Sequence, residues 1–217
     1  RRDRGERGKG DSGVKTKIAV LVSGGGTNLQ ALIDAQKAGT LCSGEIALVV
    51  SNNAKAYALE RARNVGIPTA VLLKKELGGQ AGFEKALGET LDSHGIQVII
   101  LAGFMSILSG DFTKRYPKRI LNVHPSLIPS FCGAGFYGLR VHEAALSHGV
   151  KVTGATVHFV NEVPDGGEII AQKAVDILPG DTPERLQRRV MEQAEWILLP
   201  RAAEQVCAAI QNSEEER

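Results

Sequence analysis

Residues 17–30 read KIAVLVSGGGTNLQ, and this stretch decides the fold. Lys17 to Val22 is a short apolar, β-branched run, ended by Ser23-Gly24-Gly25-Gly26. Thr27-Asn28 then opens LQALIDAQKAG, where Leu29, Leu32, Ile33 and Gln36 share one helical face and Gly39 stops the helix. A buried strand thus runs through a glycine turn into a helix.

The same unit repeats outward. Glu45 to Val50, Thr69 to Leu73 and Gln97 to Ala102 read as strands, and Ala54 to Asn64 and Ala81 to His94 as the helices between them. The order β-α-β-α-β-α-β with continuously apolar strands predicts an α/β fold: a doubly wound, mostly parallel sheet covered on both faces. Beyond Gly103 the rhythm changes. Ile120 to Val123 is a short strand and Val141 to Ser147 a short helix. Lys151 to Val160 and Glu168 to Asp176 alternate apolar with polar residues about a Pro164-Asp165-Gly166-Gly167 turn, which predicts antiparallel strands extending the sheet. Thr182 to Gln211 predicts a long C-terminal helix, capped by Asp181 or Thr182, with Pro183 at its first position and a bend or split at Pro200. The domain reading is a disordered extension or cloning remnant over 1–16, one domain over 17–211, and a disordered tail over 212–217.

Composition narrows the function. The chain has 217 residues and a net charge of +2, and much of the positive excess lies in the first residues, which argues against broad nucleic-acid binding. No apolar run reaches the ~18 residues of a membrane span. Cys42, Cys132 and Cys207 are far apart, with no CxxC and no His pair at metal spacing, so no metal site is expected. An odd cysteine count without a secretion signal points to a reducing cytoplasm.

Three segments carry candidate chemistry. At the glycine turn, Gly25 and Gly26 allow close backbone approach, the helix start presents free N–H groups, and Thr27 and Asn28 add donors. That describes a phosphomonoester site; an ordinary strand-to-helix turn is the alternative. The Lys-Ser/Thr ending of a nucleoside triphosphate loop is missing, and Leu29 stands where a dinucleotide fingerprint has Gly or Ala. In LNVHPSLIPSF, Asn122 and His124 lie two apart on an extended chain and so share a side, at the carboxyl edge where α/β sheets bind ligands. Their donors suit an oxyanion forming on a carbonyl carbon; turn capping is the alternative. Asp165 sits in a Pro-Asp-Gly-Gly turn, which is ordinary hairpin chemistry. Its functional reading requires it to approach His124, raise the imidazole's pKa and hold it protonated.

Taken in order, SGGGTNLQ, SNNAKAYALERARNVGIP, LAGFMSIL, LNVHPSLIPSF, VKVTGATVHFVNEVPDGGEIIAQ and GDTPERLQRRV resemble the phosphoribosylglycinamide formyltransferase family, from Lys17 to about Pro200. The resemblance implies a Rossmann-like formyltransferase fold. It also implies transfer of a formyl group from 10-formyltetrahydrofolate, as co-substrate, to the amino group of glycinamide ribonucleotide, in purine synthesis. Asn122 would then bond the formyl oxygen, His124 as imidazolium would stabilise the oxyanion, and Asp165 would orient His124 and help remove the amine proton. Gly25, Gly26, Thr27 and Asn28 match the substrate-phosphate loop, and Glu195 the acid contacting the ribose. Met105, Ser106, Ile107 and Leu108 match the segment bordering the pterin. Glu162, Val163 and Asp165 match the folate loop, which Asn122 also faces.

The chain departs from the pattern in places. Ser106 and Gln80 stand where the family has arginines, leaving Lys74, Lys75 or Arg115 as candidates for the folate tail. His142 aligns with a supporting histidine. Small-molecule substrates are the expected partners, with no nucleic acid and no membrane, in a monomer or homodimer. Formyltetrahydrofolate hydrolase shares the Asn, His and Asp set but ordinarily adds an N-terminal regulatory domain. Methionyl-tRNA formyltransferase adds a basic C-terminal one. A non-catalytic nucleotide-binding module is the reading from another class.

Overall fold

The computed structural model describes residues 14–215. Its elements are β1 (Thr16–Val22), α1 (Thr27–Lys37), β2 (Gly44–Ser51), α2 (Tyr57–Arg63), β3 (Thr69–Val71), α3 (Gln80–Ser93), β4 (Val98–Leu101), α4 (Gly110–Lys114), β5 (Ile120–His124), α5 (Leu139–His148), β6 (Val152–Phe159), β7 (Ile169–Asp176), α6 (Pro183–Val190) and α7 (Trp196–Glu215). One sheet runs β3-β2-β1-β4-β5-β6-β7. Its first five strands pair in parallel, and β6 and β7 join antiparallel. The doubly wound sheet with antiparallel C-terminal strands is therefore as expected.

Alternation within each strand explains the two covered faces. Ile18, Val20 and Val22 of β1 enter one core with Leu29, Leu32, Leu59, Leu186 and Leu199 from α1, α2, α6 and α7. Ala19 and Leu21 enter the other with Phe83, Leu87, Leu91 and Phe112 from α3 and α4. β4 divides likewise, Val98 and Ile100 against Ile99 and Leu101. Each such Leu or Ile contributes roughly 1.5–3 kcal/mol on burial, and a one-residue slip would exchange the two faces.

Sheet order then places the site. The chain moves from β1 outward to β2 and β3, and returns to β4 on the other side of β1. Strand order thus reverses between β1 and β4, the switch point where open α/β sheets take ligands. The segments leaving β1, β4 and β5 all emerge at this carboxyl edge.

Several expectations are corrected. The second helix starts at Tyr57, not Ala54, and β3 ends at Val71. α4 was not anticipated from the sequence; at five residues it is too short to show helical periodicity. At the C-terminus, Thr182 is the cap, accepting from the Arg185 N–H at 3.3 Å, with Pro183 in the first turn. The irregularity, however, lies before Pro200, in a π turn at Met191–Glu195 where the Trp196 N–H donates to the Met191 carbonyl. α7 continues through Pro200 to Glu215, so residues 212–215 are helical, while 216 and 217 lie outside the described residues. Of the extension expected over 1–16, residues 1–13 also lie outside them, and Thr16 opens β1.

Candidate active site

The glycine turn is shaped by its neighbour helix. Gly26 caps α1 at φ 74°, and a Cβ there would stand 2.6 Å from the Ala58 Cβ, so both conformation and space require glycine. The turn's carbonyls are engaged by α2. Gly24 accepts from the Ala58 N–H at 3.0 Å and Gly25 from Arg61 Nε at 2.7 Å. α1 has no side-chain cap, which leaves its first N–H groups for an anion. Thr27 and Gly25 are exposed beside them.

Asn28 is turned inward and buried. Its Nδ2 donates to Glu195 Oε2 at 2.8 Å. Glu195 is 7% exposed, and burial raises its pKa against the pull of the Asn28 bond. The acid expected at the ribose thus lies beside the glycine turn. The π turn that ends at Glu195 widens the helix by one residue there, a distortion that recurs at functional sites.

The second cluster is built across β5 and β6. Antiparallel register sets Asn122 opposite His158 and His124 opposite Thr156. Asn122 Nδ2 stands 3.2 Å from His158 Nε2, leaving its second amide N–H free. His158 Nδ1 donates to the Phe159 carbonyl at 2.8 Å. From the β6–β7 turn Asp165 reaches both imidazoles. Its Oδ2 is 3.5 Å from His124 Nδ1 and its Oδ1 3.5 Å from His158 Nε2. The Gly133 N–H donates to Oδ2 at 2.8 Å. Asp165 adopts φ 55°, a left-handed conformation in which Asp is enriched.

The electrostatics differ from the sequence expectation at one point. Burial opposes the Asp165 charge, but the close approach of His158, the Gly133 bond and the neighbouring His124 outweigh it and hold the carboxyl below its usual range. His124 is 4% exposed, and burial lowers its pKa; the Phe131 carbonyl and Asp165 raise it but do not prevail. Asp165 therefore opposes the neutralisation of His124 without reversing it. Moreover, His124 Nε2 donates to the Phe131 carbonyl at 2.8 Å. Since a carbonyl only accepts, Nε2 carries the proton, and both ring nitrogens face protein acceptors.

Neither His158 nor Thr156 was identified from the sequence as a site residue. The signal was the alternation in TVHFV, which sets both on the face of β6 that meets Asn122 and His124, but the pairing strand is not evident from one sequence. Thr156 fixes the loop after His124. Its hydroxyl donates to the Ser126 carbonyl at 2.7 Å and accepts from the Ile128 N–H at 3.1 Å and Gln172 Nε2 at 3.0 Å. That fills one donor and two acceptor positions, the capacity of a hydroxyl. His142 is fully buried in α5 with neither ring nitrogen bonded to protein, and burial, with a smaller push from His124, lowers its pKa to about 4.

The third wall follows β4. Met105 and Ile107 are exposed, Ser106 is half-buried, and Leu108 is buried in the core cluster that includes Phe112. Glu162 and Val163 are exposed in the β6–β7 turn. A Cβ on Gly110 would lie 3.1 Å from the Glu162 Cβ, so the two segments meet. Arg115 is engaged at Asp92, 3.6 Å away, and over the Tyr116 ring. Among the described residues no group of three or more His, Cys, Asp or Glu is placed to hold a metal ion, and no helix is long and apolar enough to cross a membrane.

Fold and site together define an α/β protein with a glycine turn at the switch point of its sheet and a cluster of amide, imidazole and carboxylate groups at the same edge. A family model described as formyl transferase matches residues 16–202, and the chain belongs to that family. It is 45% identical to a phosphoribosylglycinamide formyltransferase of Haemophilus influenzae over 177 residues, covering 82% of this chain and 81% of that one. It is 48% identical to the trifunctional purine biosynthetic protein adenosine-3 of Gallus gallus over 89% of this chain. It spans about a fifth of the length of such trifunctional relatives, 19% in that case. Among solved structures, a glycinamide ribonucleotide transformylase of Symbiobacterium toebii superposes with TM-score 0.84 at 42% identity, covering 90% of this chain and 89% of that one. A formyltetrahydrofolate deformylase of Pseudomonas syringae superposes with TM-score 0.81 at 26% identity, covering 90% and 62%.

Proposed function

We propose that this chain transfers the formyl group of 10-formyltetrahydrofolate to the amino group of glycinamide ribonucleotide, giving formylglycinamide ribonucleotide and tetrahydrofolate. The observation that carries this reading is the Asp165 carboxylate set between His124 and His158, with Asn122 on the same cluster. A relative named for this activity, at 45% identity over four-fifths of both chains, supports it.

The ribonucleotide phosphate sits on the N–H groups of Gly25, Gly26 and Thr27, and Glu195 takes the ribose hydroxyls. Met105, Ile107 and Val163 supply apolar surface to the pterin. The substrate amine then bonds to the formyl carbon, and the carbonyl electrons move onto oxygen. The free N–H of Asn122 and an N–H of His124 receive that charge; for His124 this means exchanging the Phe131 carbonyl for the oxyanion. Such exchange is ordinary, since catalytic hydrogen bonds commonly tighten only once substrate is bound. Asp165 takes the amine proton through a water; the oxyanion then re-forms the carbonyl as the carbon–N10 bond breaks, and Asp165 returns that proton through the water to N10. Ser126 is no nucleophile here, because its hydroxyl is spent on the Ser130 carbonyl.

The test is to mix the protein with 10-formyltetrahydrofolate, with and without glycinamide ribonucleotide, and follow the folate product by absorbance. Acceptor-dependent turnover is expected. Turnover without the acceptor indicates a hydrolase, a reading to which the deformylase likeness lends some support. No turnover in either mixture indicates a binding module. A cytoplasmic monomer or homodimer acting on small molecules, without nucleic acid, completes the reading.

A further inference from the structure

The segment from Gly103 to Ser109 leaves β4 without helix or strand, yet it presents Met105 at 61% and Ile107 at 74% exposure. A segment with no ladder of its own needs outside restraints to present a fixed surface. Three are present. At one end, the Met105 N–H donates to Ser23 Oγ at 2.8 Å, and that hydroxyl donates onward to Asn52 Oδ1 at 2.6 Å. At the other, the Glu84 carboxylate on α3 accepts the Ser109 N–H on Oε1 and the Ser109 hydroxyl on Oε2, both at 2.6 Å. Between them, Gln80 Nε2 donates to the Ile107 carbonyl at 3.0 Å and to Glu84 Oε1 at 2.6 Å. Ser109 also caps α4 by accepting from the Phe112 N–H at 3.2 Å.

We propose that Glu84, assisted by Gln80, is a positioning residue that sets the folate-binding edge by gripping Ser109 and, through Gln80, Ile107. This rests on the formyl transfer reading above. Glu84 touches no reacting atom and acts through the backbone of the segment it holds. Its bonds are charge-assisted, and so stronger than neutral ones. Burial works against the charge, but the two Ser109 bonds, with the Gln80 bond and the nearby Lys74 charge, outweigh it and keep the carboxyl below its usual range. Gln80 is likewise committed inward. The opposite end of the segment is shared: Ser23 belongs to the glycine turn that takes the ribonucleotide, so the two restraints differ in what they control.

The experiment measures kcat and both KM values by formyl transfer, and tetrahydrofolate binding by calorimetry, for the unaltered protein, Glu84→Gln, Ser109→Ala, their double variant and Ser23→Ala. Glu84→Gln places an amide N–H where a Ser109 donor now points. It is expected to raise the KM for the formyl folate and the Kd for tetrahydrofolate about tenfold, with the ribonucleotide KM unmoved. Ser109→Ala shifts the same two constants, and the double variant falls short of the product of the singles. Ser23→Ala raises both KM values. A merely structural role would lower the melting temperature and kcat without separating the two KM values, and that result overturns the proposal. Should Glu84→Gln fail to fold, Ser109→Ala decides alone by the same split. No turnover in the unaltered protein ends the parent reading and this one with it. Turnover with an unmoved folate KM in both single variants ends this one only.

Discussion

Asp165 Oδ2 lies 3.5 Å from His124 Nδ1, while the opposite nitrogen of that ring is bonded to the Phe131 carbonyl at 2.8 Å. Burial lowers the pKa of His124, and the Asp165 charge is one of two influences resisting it. Asp165→Asn removes that influence and keeps an acceptor for the Gly133 N–H. A fall in kcat of about a hundredfold or more is expected. Because the protonated ring loses its counter-charge, the alkaline limb of the kcat profile moves to lower pH. A profile identical in position to that of the unaltered protein would refute the electrostatic role.

Thr156 holds the loop after His124 through three hydrogen bonds on one hydroxyl. Thr156→Val keeps shape and leaves the Ile128 N–H without its partner. The expected cost is about 1–3 kcal/mol in denaturant unfolding. Misplacement of His124 also lowers kcat by about ten- to a hundredfold, with tetrahydrofolate binding retained.

Gly26→Ala introduces a Cβ 2.6 Å from Ala58 and forces alanine to φ 74°. Strain of this kind costs about 1–3 kcal/mol. The ribonucleotide KM rises several-fold and the folate KM stays, measured by varying each substrate in turn. Equal movement of both constants would place the anion loop elsewhere.

His142 is buried and neutral, with its pKa lowered from 6.5 to about 4. Between these values the unfolded chain holds a proton that the folded chain does not. Stability is therefore lost as pH falls from about 6.5 to about 4, by up to about 3 kcal/mol. His142→Leu removes this part of the slope, while His124, also lowered, leaves a residue of it. Urea unfolding at a series of pH values checks the difference; parallel curves for the two proteins would contradict it.

Much was legible in the chain alone, because local physics fixes it. Two-residue alternation in KIAVLV divides Ile18 and Val20 from Ala19 and Leu21, so a strand buried on both faces needs no tertiary information to recognise. The glycine turn, the strand carrying Asn122 and His124, and the Pro-Asp-Gly-Gly turn were read from residue types whose backbone preferences are strong. What could not be read depended on pairing at long separation. His158 became a site residue only because β6 runs antiparallel to β5 in the register that sets it against Asn122. The bond of the Asn28 side chain to Glu195, 167 residues away in the π turn, likewise exists only in the folded chain. The direction of the His124 pKa was likewise settled by how deeply the folded chain buries the ring, against the pull of Asp165. A sequence states which groups a chain owns and how its backbone bends nearby; desolvation and hydrogen-bond partners are set by neighbours distant in the chain, and exist only once it has folded.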